Sequence, residues 1–174
     1  YPGGPVIQKT AESGNPHAFD FPRPLTGGAG KALPPEHKYN FSFSGIKTAL
    51  LYHVKKHADG EGKLSGQLLY DTVASYQEAI VDVLVKKTLL AARDFNAKTI
   101  VCAGGVACNG VLRQRLTDLT PPGVKLALAA RKHCTDNAAM VGGIGYHYHR
   151  HGADSSSDID AYARLPQLLK VPFI

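Results

Sequence analysis

Cysteine is scarce in this chain. Cys102, Cys108 and Cys134 are its three, too few and too odd in number for a disulfide framework, so they read as reduced thiols of a cytoplasmic protein or as small apolar core residues. Long hydrophobic runs are also missing. No segment approaches the roughly 18 uncharged apolar residues that crossing a bilayer takes, which argues against a membrane protein. Acid is in deficit, because Lys plus Arg number 20 against 14 Asp plus Glu, a formal net charge of +6 before any of the eight histidines is protonated. Such an excess favours a polyanionic partner. An apolar fraction of 44% beside 20% charged residues excludes disorder. The 174 residues suffice for one packed core, a chain of this size burying about 70% of its unfolded surface. Nor does the chain open on methionine: Tyr1-Pro2-Gly3-Gly4-Pro5 reads as the middle of a loop rather than a leader, which suggests a piece of a longer protein.

Residues 1–40 are rich in Gly and Pro, with a short helical candidate at 6–12, an extended Phe21-Pro22-Arg23-Pro24 and a mobile glycine-rich loop at 26–30. Phe41-Ser42-Phe43-Ser44 alternates large apolar with small polar side chains and predicts a strand with one buried face; Gly45 then breaks it before a helix over 46–57. A polar connection at 60–63 leads to 67–95, where Val73, Tyr76, Ile80, Val83, Leu84 and Ala91 share one face of a long helix or helix pair. Residues 98–103 form a β-branched apolar run, the pattern of a strand buried on both faces, ended by Gly104-Gly105. Asn109 suits the N-cap of a helix carrying Leu112, Leu116 and Leu119 on one face, and Thr120-Pro121-Pro122-Gly123 stops it. A second strand at 124–129 precedes a helix over 135–149, and Asp154 to Asp158 reads as a solvated loop. No internal repeat interrupts this order of helix, strand, helix, strand, helix. It predicts an α/β sheet flanked by helices, the two strands parallel, with ligands at their carboxyl ends.

Two loops therefore hold the chemistry. In Ala103-Gly104-Gly105-Val106-Ala107-Cys108-Asn109 the glycines allow a ligand close to the backbone at a helix N-terminus, and Asn109 adds an amide; a tight turn with an ordinary N-cap accounts for the same residues. Thr135-Asp136-Asn137 places a carboxylate where a divalent cation could bind, or serves as a cap through Thr135 or Asp136. Other constellations are weaker. His53-x-x-x-His57 lacks the glutamate of a zinc-peptidase helix and reads as surface histidines on a basic helix, while His147, His149 and His151 suit a helix carboxyl end. Gly27 to Lys31 and Ser44-Gly45-Ile46-Lys47-Thr48 both fail the phosphate-loop pattern.

Six segments in order, Tyr1 to Pro5, Phe21-Pro22-Arg23-Pro24, Phe41 to Thr48, Ala74-Ser75-Tyr76-Gln77-Glu78-Ala79, Ala103 to Asn109 and Cys134-Thr135-Asp136-Asn137-Ala138-Ala139-Met140, together resemble the carboxy-terminal half of the tRNA N6-adenosine threonylcarbamoyltransferase family, formerly described as O-sialoglycoprotein endopeptidases. The resemblance implies the second lobe of an actin-like, ribonuclease H-like ATPase fold, with residues 1–40 an interlobe segment and 41–174 the carboxy-terminal α/β lobe. It implies transfer of threonylcarbamoyl from threonylcarbamoyl-adenylate to N6 of the adenosine 3′ of the anticodon in tRNA. Asp136 would be a ligand of one divalent metal, iron or zinc. Asn109 would contact the adenylate or another ATP-type nucleotide, Gly4 would line the same pocket from the opposite side, and Gly104 and Gly105 would orient the nucleotide. Implied partners are a paralogous subunit and a small ATPase, in the cytoplasm.

The departures also matter. The family's paired metal-binding histidines lie upstream of Tyr1, so the chain alone is expected to be inactive. Asn40 stands where Asp is more frequent, Tyr76 where Phe is usual, and Arg131-Lys132 in a stretch otherwise richer in proline. The competing expectations are a metal-dependent glycoprotein endopeptidase and a non-catalytic nucleotide-binding subunit.

Overall fold

The structure is a computed structural model that describes residues 3–27 and 33–152. Most of the glycine-rich loop expected at 26–30, and the tail expected at 154–158, lie outside the described residues. Two compact units emerge, one ending at Cys134 and the next beginning at Thr135.

The first unit is organised on one long helix. Helices α1 (Gly3–Ala11), α2 (Ser44–His57), α3 (Gly66–Asp94) and α4 (Gly110–Leu119) accompany strands β1 (Thr99–Cys102) and β2 (Lys125–Leu128). The run over 67–95 is thus a single helix of 29 residues rather than a pair. It ends in a Schellman closure, with Asn96 at φ 49°, the Asn96 N–H donating to Arg93 O at 3.1 Å and that of Ala97 to Ala92 O at 2.8 Å. Its apolar surface is split between two cores. Val81 and Val85 pack with Leu112 and Leu116, while Ala79 packs with Phe21 and Ile46. A helix covered on several sides carries a broad apolar circumference, not one stripe.

α3 also buries the polar residues Thr72, Ser75, Gln77, Glu78 and Lys87. Burial of such groups is tolerated only when they are paired, and each has a partner. Ser75 Oγ accepts from Phe19 N and donates to Asn15 O, both at 3.1 Å. Lys87 Nζ donates to the carbonyls of His37 at 3.1 Å and Lys38 at 2.9 Å, and burial lowers its pKa. Residues 14 and 15 lie tight against the first turns of α3, where a methyl group on Gly14 would fall on the Tyr70 carbonyl.

The two strands are parallel neighbours, with Thr99 opposite Lys125 and Val101 opposite Ala127, as the helix–strand order predicts. Burial on both faces does not follow. Ile100 is buried but Val101 is 72% exposed, because among the described residues α3 and α4 cover one face only. Nor do residues 41–43 form a strand: they have no ladder partner among the described residues, and α2 begins at Ser44. Phe43 still packs on the Phe21–Ile46 core. Leu112 and Leu116 are buried, but Leu119 in the last turn of α4 is exposed.

His53 and His57 are not plain surface histidines. His53 Nε2 lies 3.0 Å from Thr72 Oγ1, its ring sits edge-on to Phe19 at 4.4 Å and 4.3 Å from that of His57. Burial, then the nearby His57 and Lys56, lowers the pKa of His53 from the ordinary 6.5. The unfolded chain therefore takes up a proton first, so stability from neutral His53 is complete above the ordinary value and is lost as pH falls through it toward the folded one. Urea midpoints measured from about pH 7.5 down to about pH 5 should fall, and His53→Gln should flatten that slope. An unaltered slope in the variant would assign the loss to other groups.

The second unit contains α5 (Ala138–Arg150). Its cap is Asn137, whose side chain accepts from Met140 N at 3.0 Å, and not Thr135 or Asp136. Arg150 Nη1 donates to Tyr146 Oη at 3.1 Å one turn earlier.

Candidate ligand site at the strand ends

β1 runs into the loop that the glycine pattern singles out. Gly104 takes φ 91° and ψ 168°, a conformation that side-chain-bearing residues rarely adopt. Gly105–Cys108 then forms a 3-10 turn. Among the described residues, and apart from the adjoining residues of the chain, no atom lies within 4 Å of where a Cβ would stand on Gly104 or Gly105, which leaves this backbone open to close approach.

Asn109 caps α4, as its position predicts, accepting from Leu112 N through Oδ1 at 2.9 Å. Its Nδ2 donates to Gln77 Oε1 at 2.8 Å, an acceptor on the buried side of α3. The amide is thus held from both ends, with one N–H and one lone pair left for a ligand. From α1, Gln8 Oε1 accepts from Gly110 N at 3.0 Å, bringing the first helix to the start of α4. Gly4 stands one turn before Gln8 on the same face of α1 and is exposed. Neither Gln8 nor Gln77 is evident from local pattern, since they lie 102 and 32 residues from their partners.

The loop after β2 is laced to the first one. Arg113 Nη1 donates to Ala107 O at 2.9 Å and to Ala129 O at 3.0 Å, joining the ends of both strands. Cys108 Sγ donates to Arg131 O at 3.7 Å. Asp136 is exposed in the second unit, where the neighbouring Asn137 Nδ2 donates to Thr135 O at 2.9 Å. Among the described residues no three His, Cys, Asp or Glu side chains converge as a metal site. The described residues therefore do not fit a metal by themselves; Asp136 offers one carboxylate.

Two strand-end loops, one with an open glycine backbone and a clamped amide, stand at the carboxyl ends of parallel strands, the place where α/β sheets of this kind take ligands. Among the described residues, five α-helices and a small parallel sheet agree with part of an actin-like fold. The chain belongs to the tRNA N6-adenosine threonylcarbamoyltransferase family, whose model matches residues 1–143. It is 44% identical over 167 residues to the enzyme of that name from Syntrophotalea carbinolica, covering 95% of this chain and 46% of the relative. The Thermosipho africanus protein of the same name is 42% identical over 167 residues, with the same shares covered. That of Desulfitobacterium hafniense is 46% identical over 150 residues, 84% of this chain and 40% of the relative. The chain thus spans less than half the length of these relatives.

Proposed function

We propose that this chain supplies the adenylate-binding loops of a tRNA N6-adenosine threonylcarbamoyltransferase, with residues 1–40 as an interlobe segment and 41–174 as the carboxy-terminal lobe. The supporting observation is the clamped Asn109 beside the open Gly104-Gly105 backbone, on a chain similar to enzymes of that name. Asn109 orients threonylcarbamoyl-adenylate with its remaining N–H and lone pair. Backbone N–H groups at Gly104 and Gly105 approach its nucleotide portion, and Gly4 borders the site from α1. Fixed donors are effective here because they need no reorganisation as charge develops on the carbamoyl group under attack by the adenosine amine.

Asp136 contributes a carboxylate to a divalent metal, iron or zinc, whose other ligands come from outside the described residues. The +6 charge suits a tRNA partner, and the setting is cytoplasmic, with a paralogous subunit and a small ATPase. Residues 1–174 alone do not carry out the transfer.

The test is nucleoside mass spectrometry of tRNA from cells depleted of the native gene product. Threonylcarbamoyladenosine should disappear and return with the native gene, but not with residues 1–174 alone. Unchanged modification in depleted cells would reject the transferase reading and bring forward the endopeptidase and the nucleotide-binding subunit.

A further inference from the structure

Cys108 is the last residue of the short turn after β1, Gly105–Cys108, and Cys134 directly follows the one after β2, Arg131–His133. Their surroundings converge on one backbone oxygen. Cys108 Sγ donates to Arg131 O at 3.7 Å, and the Cys134 N–H donates to the same oxygen at 3.2 Å. Cys134 Sγ donates to Ala129 O at 3.6 Å, the carbonyl that Arg113 also holds while holding Ala107 beside Cys108. Burial first, and then the neighbouring Cys134 thiol, raises the Cys108 thiol. Cys108 is half-buried, whereas Cys134 is 4% exposed.

We propose that Cys108 and Cys134 are a dithiol modification site, closing to a reversible intrachain disulfide when a two-electron thiol oxidant reaches Cys108. An azo oxidant such as diamide shows the balance. The Cys108 sulfur adds to one nitrogen of the N=N bond, and its proton ends on the other. Cys134 sulfur then attacks Cys108 sulfur, the S–N bond breaks, and the hydrazine leaves with the second proton. Two S–H bonds are lost, one S–S bond forms, and the azo group is reduced by two electrons.

The order follows from access, since the outer thiol meets the reagent and the buried one resolves it. Burial raises the Cys108 thiol despite Arg131 and Arg113 nearby, so closure relies on proximity rather than on an activated nucleophile. Burial raises Cys102 too, and Cys134 adds to that rise, so a Cys102–Cys134 bond is the competing pairing. The Cys108–Cys134 bond would tie the residue before Asn109 to the residue before Thr135, fixing one strand-end loop against the other by a means independent of the transferase reading.

The test treats the 174-residue chain with diamide, alkylates the remaining thiols and maps peptides by mass spectrometry without reduction. The expected product is a monomer lighter by two hydrogens, with a Cys108–Cys134 peptide, alkylation at Cys102 alone and full reversal by dithiothreitol. Cys108→Ser should abolish the cross-linked peptide, and the wild-type map identifies the pair even if that variant fails to fold. A stable reagent adduct on Cys108, a disulfide that includes Cys102, chains linked into dimers, or three alkylated thiols would each overturn the proposal.

Discussion

Arg115→Ala should lower the stability of the first unit by about 3–5 kcal/mol, because it strands a buried carboxylate. Arg115 reaches from α4 to α3 and engages Glu78 through both terminal nitrogens, at 2.8 Å to Oε1 and 2.9 Å to Oε2. The same guanidinium lies 2.7 Å from Asp82 Oδ1, and Arg23 holds the other oxygen of Asp82 at 3.2 Å. Burial decides the magnitude. The Glu78 side chain is 6% exposed, whereas an exposed ion pair would be worth about 1 kcal/mol or less. The paired carboxylates also raise the Arg115 pKa, Glu78 foremost. In a domain of this size the loss should appear as a fall in Tm of roughly 6–20 °C. A double variant, Glu78→Leu with Arg115→Met, should recover most of it, since removing both charges leaves nothing stranded. A loss under about 1 kcal/mol in the single variant would show that water reaches Glu78 once the arginine is gone.

The elements that sequence locates well are those specified by their own residues. Periodicity over 67–95 and a β-branched run ended by glycines place α3 and β1 within a residue or two. Asn109 is legible as a cap because the capped N–H lies three residues away. What stays hidden depends on distant partners. Phe41 and Phe43 alternate like a strand, but alternation cannot supply the neighbour a ladder needs. Val101 reads as core until the layer above it is found missing among the described residues. Thr135, Asp136 and Asn137 are interchangeable as caps on composition, and backbone geometry selects Asn137. The buried polar groups of α3 are the hardest case, since nothing local marks Gln77, Glu78 and Lys87 as buried; Asn109 and α4 close over the first two and residues 37–38 over the third. At the site, the two loops are legible while the clamps of Gln8, Gln77 and Arg113 are not.

Those clamps make Asn109 the residue at which fold and proposed function can be separated. Asn109→Ala should cost about 1 kcal/mol for the lost cap, plus about 1–3 kcal/mol for a buried Gln77 oxygen left without its donor. Reduced transfer in that variant would be ambiguous, because the loop itself would loosen. Asn109→Asp is sharper. A carboxylate caps as well as the amide does, and the Gln77 amide can rotate to present its NH2, so Tm should stay within a few degrees. Toward an adenylate the change is severe. The remaining N–H donor becomes an acceptor, and a negative charge is set beside a substrate that already carries one, an arrangement in which each 1.4 kcal/mol lost is tenfold in rate. In the protein encoded by the native gene, Asn109→Asp should therefore reduce threonylcarbamoyladenosine in tRNA at least tenfold while leaving thermal unfolding nearly unchanged. Normal modification with Asn109→Asp would confine Asn109 to holding the loop and move substrate contact to the Gly104-Gly105 backbone. A large fall in Tm would mean instead that Gln77 cannot turn, and that the clamp is stiffer than its hydrogen bonds imply.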